Sequence, residues 1–380
     1  MEKEISIYIH IPFCKSKCYY CDFCSKENSD DGLVEQYINS VIKEILNNAE
    51  ILSEYTIKTI YFGGGTPSYI DEKHIGKIMS VLKLFSVNED MEITIEMNPA
   101  DCTLDKLEAY IDMGINRFSL GMQSADNEVL KLIGRRHTRE DVKSAYKNMT
   151  ELGIDNISID IITGLPKDNI GTFRKTLDFV TGLGENIKHI STYSLEVHEN
   201  TKLSTLLDTG FLNLPSEDEE REMDSLTYNI LSSKGYNMYE ISNYAKAGFE
   251  SKHNLVYWNQ GRYLGFGVSA ASYINGKRYS NVTDIKEYVE KINNNKSVIL
   301  ETEELDKLDT LKEYIILKLR LSDGISLNEF KAKFKIDIYD MFRQELDELV
   351  NNKLLEKNNN RIYLTKLGRD LANQVWQKFI

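Results

Sequence analysis

The run Ile11-Pro12-Phe13-Cys14-Lys15-Ser16-Lys17-Cys18-Tyr19-Tyr20-Cys21-Asp22 puts three cysteines into the loop that follows the first strand-like segment, Ile5 to Ile11. Thiols this dense in one short loop read as a metal site. Three thiolates can hold three irons of a 4Fe-4S cluster, and without a fourth protein ligand one iron is left open to an exogenous molecule. Structural zinc is the alternative, since Cys24 or His10 could complete a set of four ligands. Against zinc, no second Cys or His pair lies downstream. Five cysteines in 380 residues, with Cys102 standing alone, do not make a secreted disulfide framework, so the thiols imply a reducing compartment.

Outward from this loop, short β-branched and aromatic runs alternate with stretches of helical period as far as about residue 200, the pattern of repeated β-α units and a parallel sheet. Six strands are expected, at Ile5 to Ile11, Thr59 to Phe62, Glu92 to Glu96, Arg117 to Gly121, Ser158 to Ile162 and Ile190 to Leu195. The helical periods between them run over Leu33 to Leu46, Asp71 to Leu84, Leu104 to Ile111, Arg139 to Leu152 and Thr172 to Val180. Six units are too few for a closed eight-stranded barrel.

Beyond the sixth strand the pattern changes. A long helix is expected at Glu217 to Ser233, then an aromatic and glycine-rich stretch from Tyr236 to Tyr279, with Asn293-Asn294-Asn295 as a linker. Leu305, Leu308, Leu311, Ile315 and Leu319 mark one face of a further helix. Tyr339 to Val350 forms another, and Leu354 to Thr365, turning at Asn358-Asn359-Asn360, reads as a hairpin before a last helix. That order is similar to a small winged helix. The division is therefore 1–235 for the core, 236–300 for an intermediate segment and 301–380 for the C-terminal domain.

Charge narrows the partners. The chain has 46 basic against 59 acidic residues, a net of −13, and residues 301–380 hold 14 basic and 15 acidic side chains. Neither the whole nor the winged-helix-like part carries the basic surplus that nucleic acid requires. No apolar run approaches the roughly twenty residues of a membrane span, and the Met1-Glu2-Lys3-Glu4 start is not a signal peptide. The expected location is the cytoplasm.

Other motifs gather at the ends of the expected strands. Gly63-Gly64-Gly65-Thr66-Pro67 ends the second, where absent Cβ atoms allow a close backbone approach or a positive φ. Glu96 ends the third, in Ile95-Glu96-Met97-Asn98-Pro99, and Gln123 the fourth, in Gly121-Met122-Gln123-Ser124. Arg135 follows on a short helix, where its guanidinium can grip a carboxylate through two parallel bonds. Asp160 lies within the apolar Ile159-Asp160-Ile161-Ile162-Thr163-Gly164-Leu165-Pro166, a costly position unless it is hydrogen-bonded.

The C-x3-C-x2-C spacing resembles the signature of the radical S-adenosylmethionine (SAM) superfamily. Together with YIHIPFC, GGGTP, GMQS and IDIITGLP, it resembles the branch that is similar to coproporphyrinogen III oxidases, over nearly the whole chain. The resemblance implies an α/β fold, a partial (β/α)6 TIM-like barrel with a winged-helix-like C-terminal domain. It also implies a 4Fe-4S cluster on Cys14, Cys18 and Cys21, with SAM contacted by Tyr8, Tyr20, Gly64, Gly65, Thr66, Glu96, Gln123, Arg135 and Asp160.

Within that branch two functions compete. Oxygen-independent coproporphyrinogen dehydrogenases carry a further cysteine two residues after the third cluster ligand and begin with an N-terminal extension. This chain has Phe23 there, with Cys24 one place later, and starts almost at its first strand. His253-Asn254-Leu255-Val256-Tyr257-Trp258 resembles the HNxxYW pattern of the branch's heme chaperones. That implies heme as cargo, an unidentified acceptor protein as partner and His253 as the residue facing the iron, imidazole being a common axial ligand. The small, apolar Tyr263 to Ala270 stretch could pass close to cofactor or heme. SAM-dependent oxidative decarboxylation of coproporphyrinogen III remains the enzymatic alternative, and radical modification of RNA is disfavoured by the acidic balance. A homodimer is compatible with the reading.

Replacing Cys14, Cys18 or Cys21 singly with Ser should abolish the brown chromophore of the reconstituted protein, which should otherwise hold about four irons per chain. Cys24→Ser and Cys102→Ser should keep it, and loss of the chromophore in Cys24→Ser would overturn the three-ligand assignment.

Overall fold

The computed structural model describes residues 3–380, so Met1 and Glu2 of the start read against a signal peptide lie outside the described residues. Twelve strands form one sheet. In chain order they are β1 (Glu4–Ile11), β2 (Thr56–Gly64), β3 (Val87–Met97), β4 (Arg117–Gln123), β5 (Ile157–Thr163), β6 (Ile187–Ser194), β7 (Asn237–Glu240), β8 (Asn243–Ala245), β9 (Tyr263–Phe266), β10 (Ala271–Ile274), β11 (Lys277–Asn281) and β12 (Ile299–Glu304). Their order across the sheet is β12-β11-β10-β9-β1-β2-β3-β4-β5-β6-β8-β7.

Strands β1 to β6 pair in parallel and in sequence, as the alternation of strand and helix requires. Ile5, Ile7, Ile9 and Ile11 of β1 are all buried against the outer helices, while Ser6, Tyr8 and His10 point to the other face, into the barrel. Polar residues of neighbouring strands meet them there, for example Thr59 donating to Ser6 at 2.8 Å. The outer face is the aliphatic core.

Residues 236–300 are not a separate connector. They supply β7 and β8 at one edge and β9 to β11 at the other, where β9 pairs in parallel with β1, and β12 (Ile299–Glu304) extends that edge as the outermost strand. Asn293 closes a helix, Ile285–Asn293, and Asn294 caps it, so the expected linker is a helix end. A second apolar core lies in the C-terminal part, built from Leu311, Ile315, Leu319, Phe330, Leu346 and their neighbours around a three-stranded sheet of Ile325–Ser326, Leu355–Asn358 and Arg361–Leu364. The expected helix face holds at Leu311, Ile315 and Leu319, whereas Leu308 faces solvent. No helix among the described residues is long and apolar enough to cross a membrane.

One buried acid ties the first helix to the far edge of the sheet. Glu44, on helix Asp31–Asn47, accepts from the Gly267 amide at 2.9 Å, the Asn281 side-chain amide at 2.7 Å and the Tyr288 hydroxyl at 2.5 Å. Burial outweighs these donors and pushes its carboxyl from 4.5 up to about 7. The folded state thus binds more protons than the unfolded one between those values. The contribution is complete below pH 4.5 and is lost as the pH rises towards 7. Glu44→Gln should flatten the loss of stability across this window, measured by denaturant unfolding at several pH values, by on the order of 2–3 kcal/mol. An unchanged slope would contradict the assignment.

Candidate functional site

At the C-terminal end of β1 the chain turns into the cysteine loop, and the loop is fixed from three sides. The Gly65 and Thr66 amides donate to the carbonyls of Ile11 and Phe13, both at 2.9 Å. The Tyr19 amide donates to Ile133 O at 2.9 Å, and the Leu203 amide to Tyr19 O at 2.7 Å. Lys202 adds a cation over the Tyr19 ring, 3.6 Å from its centre.

The glycine triplet has two of the uses foreseen for it, close backbone approach and a positive φ, but the space it frees is filled by protein. A Cβ on Gly65 would lie 2.8 to 2.9 Å from backbone atoms of Ile11 and Phe13. One on Gly64, whose φ is +107°, would lie 2.5 Å from the His10 ring. These glycines let the cysteine loop sit directly on the end of β2.

A cavity of about 960 Å³ opens above this junction. Cys14, Cys18, Cys21, Tyr20, Gly64, Gly65, Thr66, Glu96, Gln123, Arg135 and Asp160 all line it. Thr66 donates to the Cys14 sulfur at 3.4 Å and the Arg135 guanidinium to the Cys18 sulfur at 3.3 Å. Arg135 also bonds Gly121 O, and it stands in the turn after helix Asn127–Leu132 rather than on the helix. Glu96 accepts from the Tyr61 hydroxyl at 2.8 Å and the Gly64 amide at 3.2 Å. Burial first, then the nearby Asp160, pushes its carboxyl up to about 7. Asp160 accepts from Ser119 at 3.1 Å and is likewise raised by burial. Gln123 takes a φ of +67° at a bulge where β4 ends, a strained conformation that singles it out beside a cavity.

Three thiols on one cavity wall match in number the ligands expected of a cluster with one open iron. Burial raises Cys14 and pushes Cys21 up to about 11, so as free thiols they resist ionisation; a bound metal reverses that preference. Among the described residues no three His, Cys, Asp or Glu side chains converge on one ion position. The fourth zinc ligands considered above are also engaged elsewhere. His10 accepts from the Tyr8 hydroxyl at 3.1 Å and donates to Cys24 O at 2.9 Å, and the Cys24 thiol donates to Thr283 O at 3.0 Å.

Two expected residues lie away from this cavity. Tyr8 packs against Tyr61, ring centres 6.2 Å apart, but lines a second cavity. His253 is 1% exposed inside the barrel, its two ring nitrogens bonded to the Thr59 hydroxyl at 2.7 Å and the Tyr257 hydroxyl at 2.8 Å. Tyr61 stacks on the ring at 5.0 Å. Burial, with the Arg117 charge behind it, pushes the imidazole down to about 3. Both ring nitrogens are thus hydrogen-bonded inside the barrel in this structure. Tyr263 to Ala270 is a sheet strand and its exit, with Leu264 and Phe266 in the core and Tyr263 and Ser269 on the wall of the second cavity.

Sequence reasoning missed several walls of the first cavity: Tyr61, Tyr193, Glu240, Trp258, Arg320 and Trp376. The Arg320 guanidinium lies between the two tryptophans, 4.4 Å from the Trp258 ring centre and 5.2 Å from that of Trp376, and 3.9 Å from Glu240. The C-terminal domain thereby closes one side. The sole signal was that both tryptophans of the chain fall outside the six β-α units.

A family model of the radical SAM superfamily matches residues 8–180, and one of the HemN C-terminal domain matches residues 305–371. The heme chaperone HemW of Bacillus subtilis (strain 168) is 35% identical over 99% of this chain and 99% of its own. That of Escherichia coli (strain K12) is 28% identical over 99% and 98%. Among solved structures, coproporphyrinogen III oxidase (HemN) from Escherichia coli, a radical SAM enzyme, superposes with a TM-score of 0.86 over 100% of this chain and 90% of that one, at 24% identity. At that identity the likeness is one of fold.

Gly64→Ala should lower the thermal midpoint and the iron content together, because a methyl group displaces the His10 ring at a φ that costs a non-glycine residue about 1–3 kcal/mol. Wild-type midpoint and iron content in that variant would show that the loop does not depend on this contact.

Proposed function

The chain belongs to the heme chaperone HemW family, within the radical SAM superfamily, and from that membership we propose that it binds heme and passes it to an acceptor protein. In this reading Cys14, Cys18 and Cys21 hold a 4Fe-4S cluster in the first cavity, and the open iron takes exchangeable SAM. A cluster so bound supplies electrons to a ligand on that iron. The chain's own residues bind and orient. Glu96, at the end of β3, suits the SAM amino group, and Arg135, beside Cys18, suits its carboxylate. Thr66 and Gly65 fix the loop against β2, and Gln123 and Asp160 contribute polar contacts from the next two strands.

The observation that carries the reading is the gathering of all three thiols, the glycine-rich strand end and Glu96, Gln123, Arg135 and Asp160 around one cavity. Phe23, exposed between the cavities at the place where the dehydrogenases have a further cysteine, supports handling of heme over its synthesis.

The test is to give the reconstituted protein heme in one reaction and coproporphyrinogen III with SAM and reductant in another. Heme should bind with a Soret band displaced from that of the free compound, and coproporphyrinogen III should remain unchanged. His253→Ala should keep the displaced band while losing roughly 2–4 kcal/mol of stability, since it empties a packed site and strands the Thr59 and Tyr257 hydroxyls. Formation of protoporphyrinogen IX by the wild type would sink the carrier reading. Loss of heme binding in a folded, cluster-containing His253→Ala protein would assign His253 the iron-ligand role.

A further inference from the structure

We propose that the wall of the first cavity formed by the C-terminal domain is a carboxylate site, with Arg320 as its anchor, and that it takes an acidic group of heme. The proposal rests on the heme-carrier reading and adds a recognition residue to it. Arg320 caps the helix Lys307–Leu319, and its carbonyl accepts from the Ile241 amide at 3.0 Å, just beyond β7. Its side chain, 25% exposed, lines the cavity between Trp258 and Trp376. Stacking on indoles occupies the flat faces of a guanidinium and leaves its in-plane N–H donors for a planar anion. Among the described residues those donors make no hydrogen bond: Nε is buried without a partner, and the ion pair with Glu240, at 3.9 Å, is too long for one. The indole N–H groups of Trp258 and Trp376 are likewise buried and unpartnered. Buried donors are nearly always paired in folded proteins, so three in one cluster mark a place built for an acceptor.

The other cations around the two cavities are already engaged or stand at the rim. Arg135 bonds the Cys18 sulfur and Gly121 O, and Arg136 pairs with Asp101. Lys17 donates to Phe23 O at 3.3 Å, Lys15 is exposed in the cysteine loop, and Arg278 on the wall of the second cavity pairs with Glu313. Arg369, on the same C-terminal-domain wall as Arg320, makes no ion pair among the described residues and offers a second guanidinium. Asp370 shares that wall without pairing to either arginine. Glu240, the acid beside Arg320, is wholly buried; one oxygen accepts from the Ser242 amide at 3.0 Å and from the Asn243 side chain, and the other has no hydrogen-bond partner. Burial raises its carboxyl above the usual range even with the Arg320 charge nearby. A Glu240 that keeps its proton is a donor and does not compete for the guanidinium, so a carboxylate brought by the ligand is the better partner.

The experiment compares the binding of heme and of heme dimethyl ester to the reconstituted full-length protein, followed at the Soret band in one detergent-containing buffer. The ester keeps the iron and the ring but has no free carboxylate. The wild type should bind heme about ten-fold or more tightly than the ester. Arg320→Gln should cut that preference by about five-fold or more, by weakening heme alone, with iron content and the response of the cluster's paramagnetic spectrum to SAM at wild-type level. Because Arg320→Gln leaves Glu240 buried without its cation, the double variant Glu240→Gln, Arg320→Gln carries the test should the single one lose its iron. A wild type that binds heme and ester equally, or a folded Arg320→Gln protein that keeps the wild-type preference, overturns the site and leaves the carrier reading standing. Loss of the SAM response with the preference kept would assign Arg320 to the SAM carboxylate and overturn the proposal. A wild type that binds no heme overturns the carrier reading and the site with it.

Discussion

Two adjoining glycines hold the architecture of the site together. Because Gly64 and Gly65 have no side chains, the backbone leaving β1 can lie on the backbone leaving β2, joined by the amides of Gly65 and Thr66. Any Cβ there would push into the His10 ring or into the cysteine loop itself. The cysteines are thus placed by main-chain contacts, which leave the sulfurs free to face the cavity. Glu96 is fixed by the same junction, through the Gly64 amide and Tyr61. A change at this junction reaches the cysteines, the acid and the His10 brace at once.

On the barrel's inner face, the stacked rings of Tyr8 and Tyr61 stand between two cavities of similar size. Lys17, Asp22, Phe23 and Trp258 border both. The chemistry on the two sides differs: thiols, buried acids and Arg135 on one, several tyrosines on the other. The C-terminal domain takes part in both, through Arg320 and Trp376 on the first side and Glu313 and Leu317 on the second.

Much of this was legible in the sequence because local patterns carried it. The six parallel strands and the long helix over Glu217–Ser233 follow from period and burial, and eleven residues named from motifs do line one cavity. What escaped was set by contacts distant along the chain. Strand β9 is only four residues in a glycine-rich stretch, and it is a strand because β1 offers it a parallel partner about 250 positions earlier. The surroundings of His253 escaped for a related reason. A histidine among aromatics looks the same in sequence whether its nitrogens are free or engaged, and the engaging hydroxyl of Thr59 lies 194 residues away. Arg320 was invisible as a cavity residue until Trp258 and Trp376 closed on it.

The central claim is that three thiolates hold the cluster and leave one iron for an outside ligand. The most direct measurement is the Mössbauer spectrum of the isotopically labelled, reconstituted protein with and without SAM. SAM should change one iron site in four, raising its coordination while the other three keep their thiolate environment. Four sites that stay alike under saturating SAM would mean that a further protein ligand occupies the open position, and would contradict the account at its root.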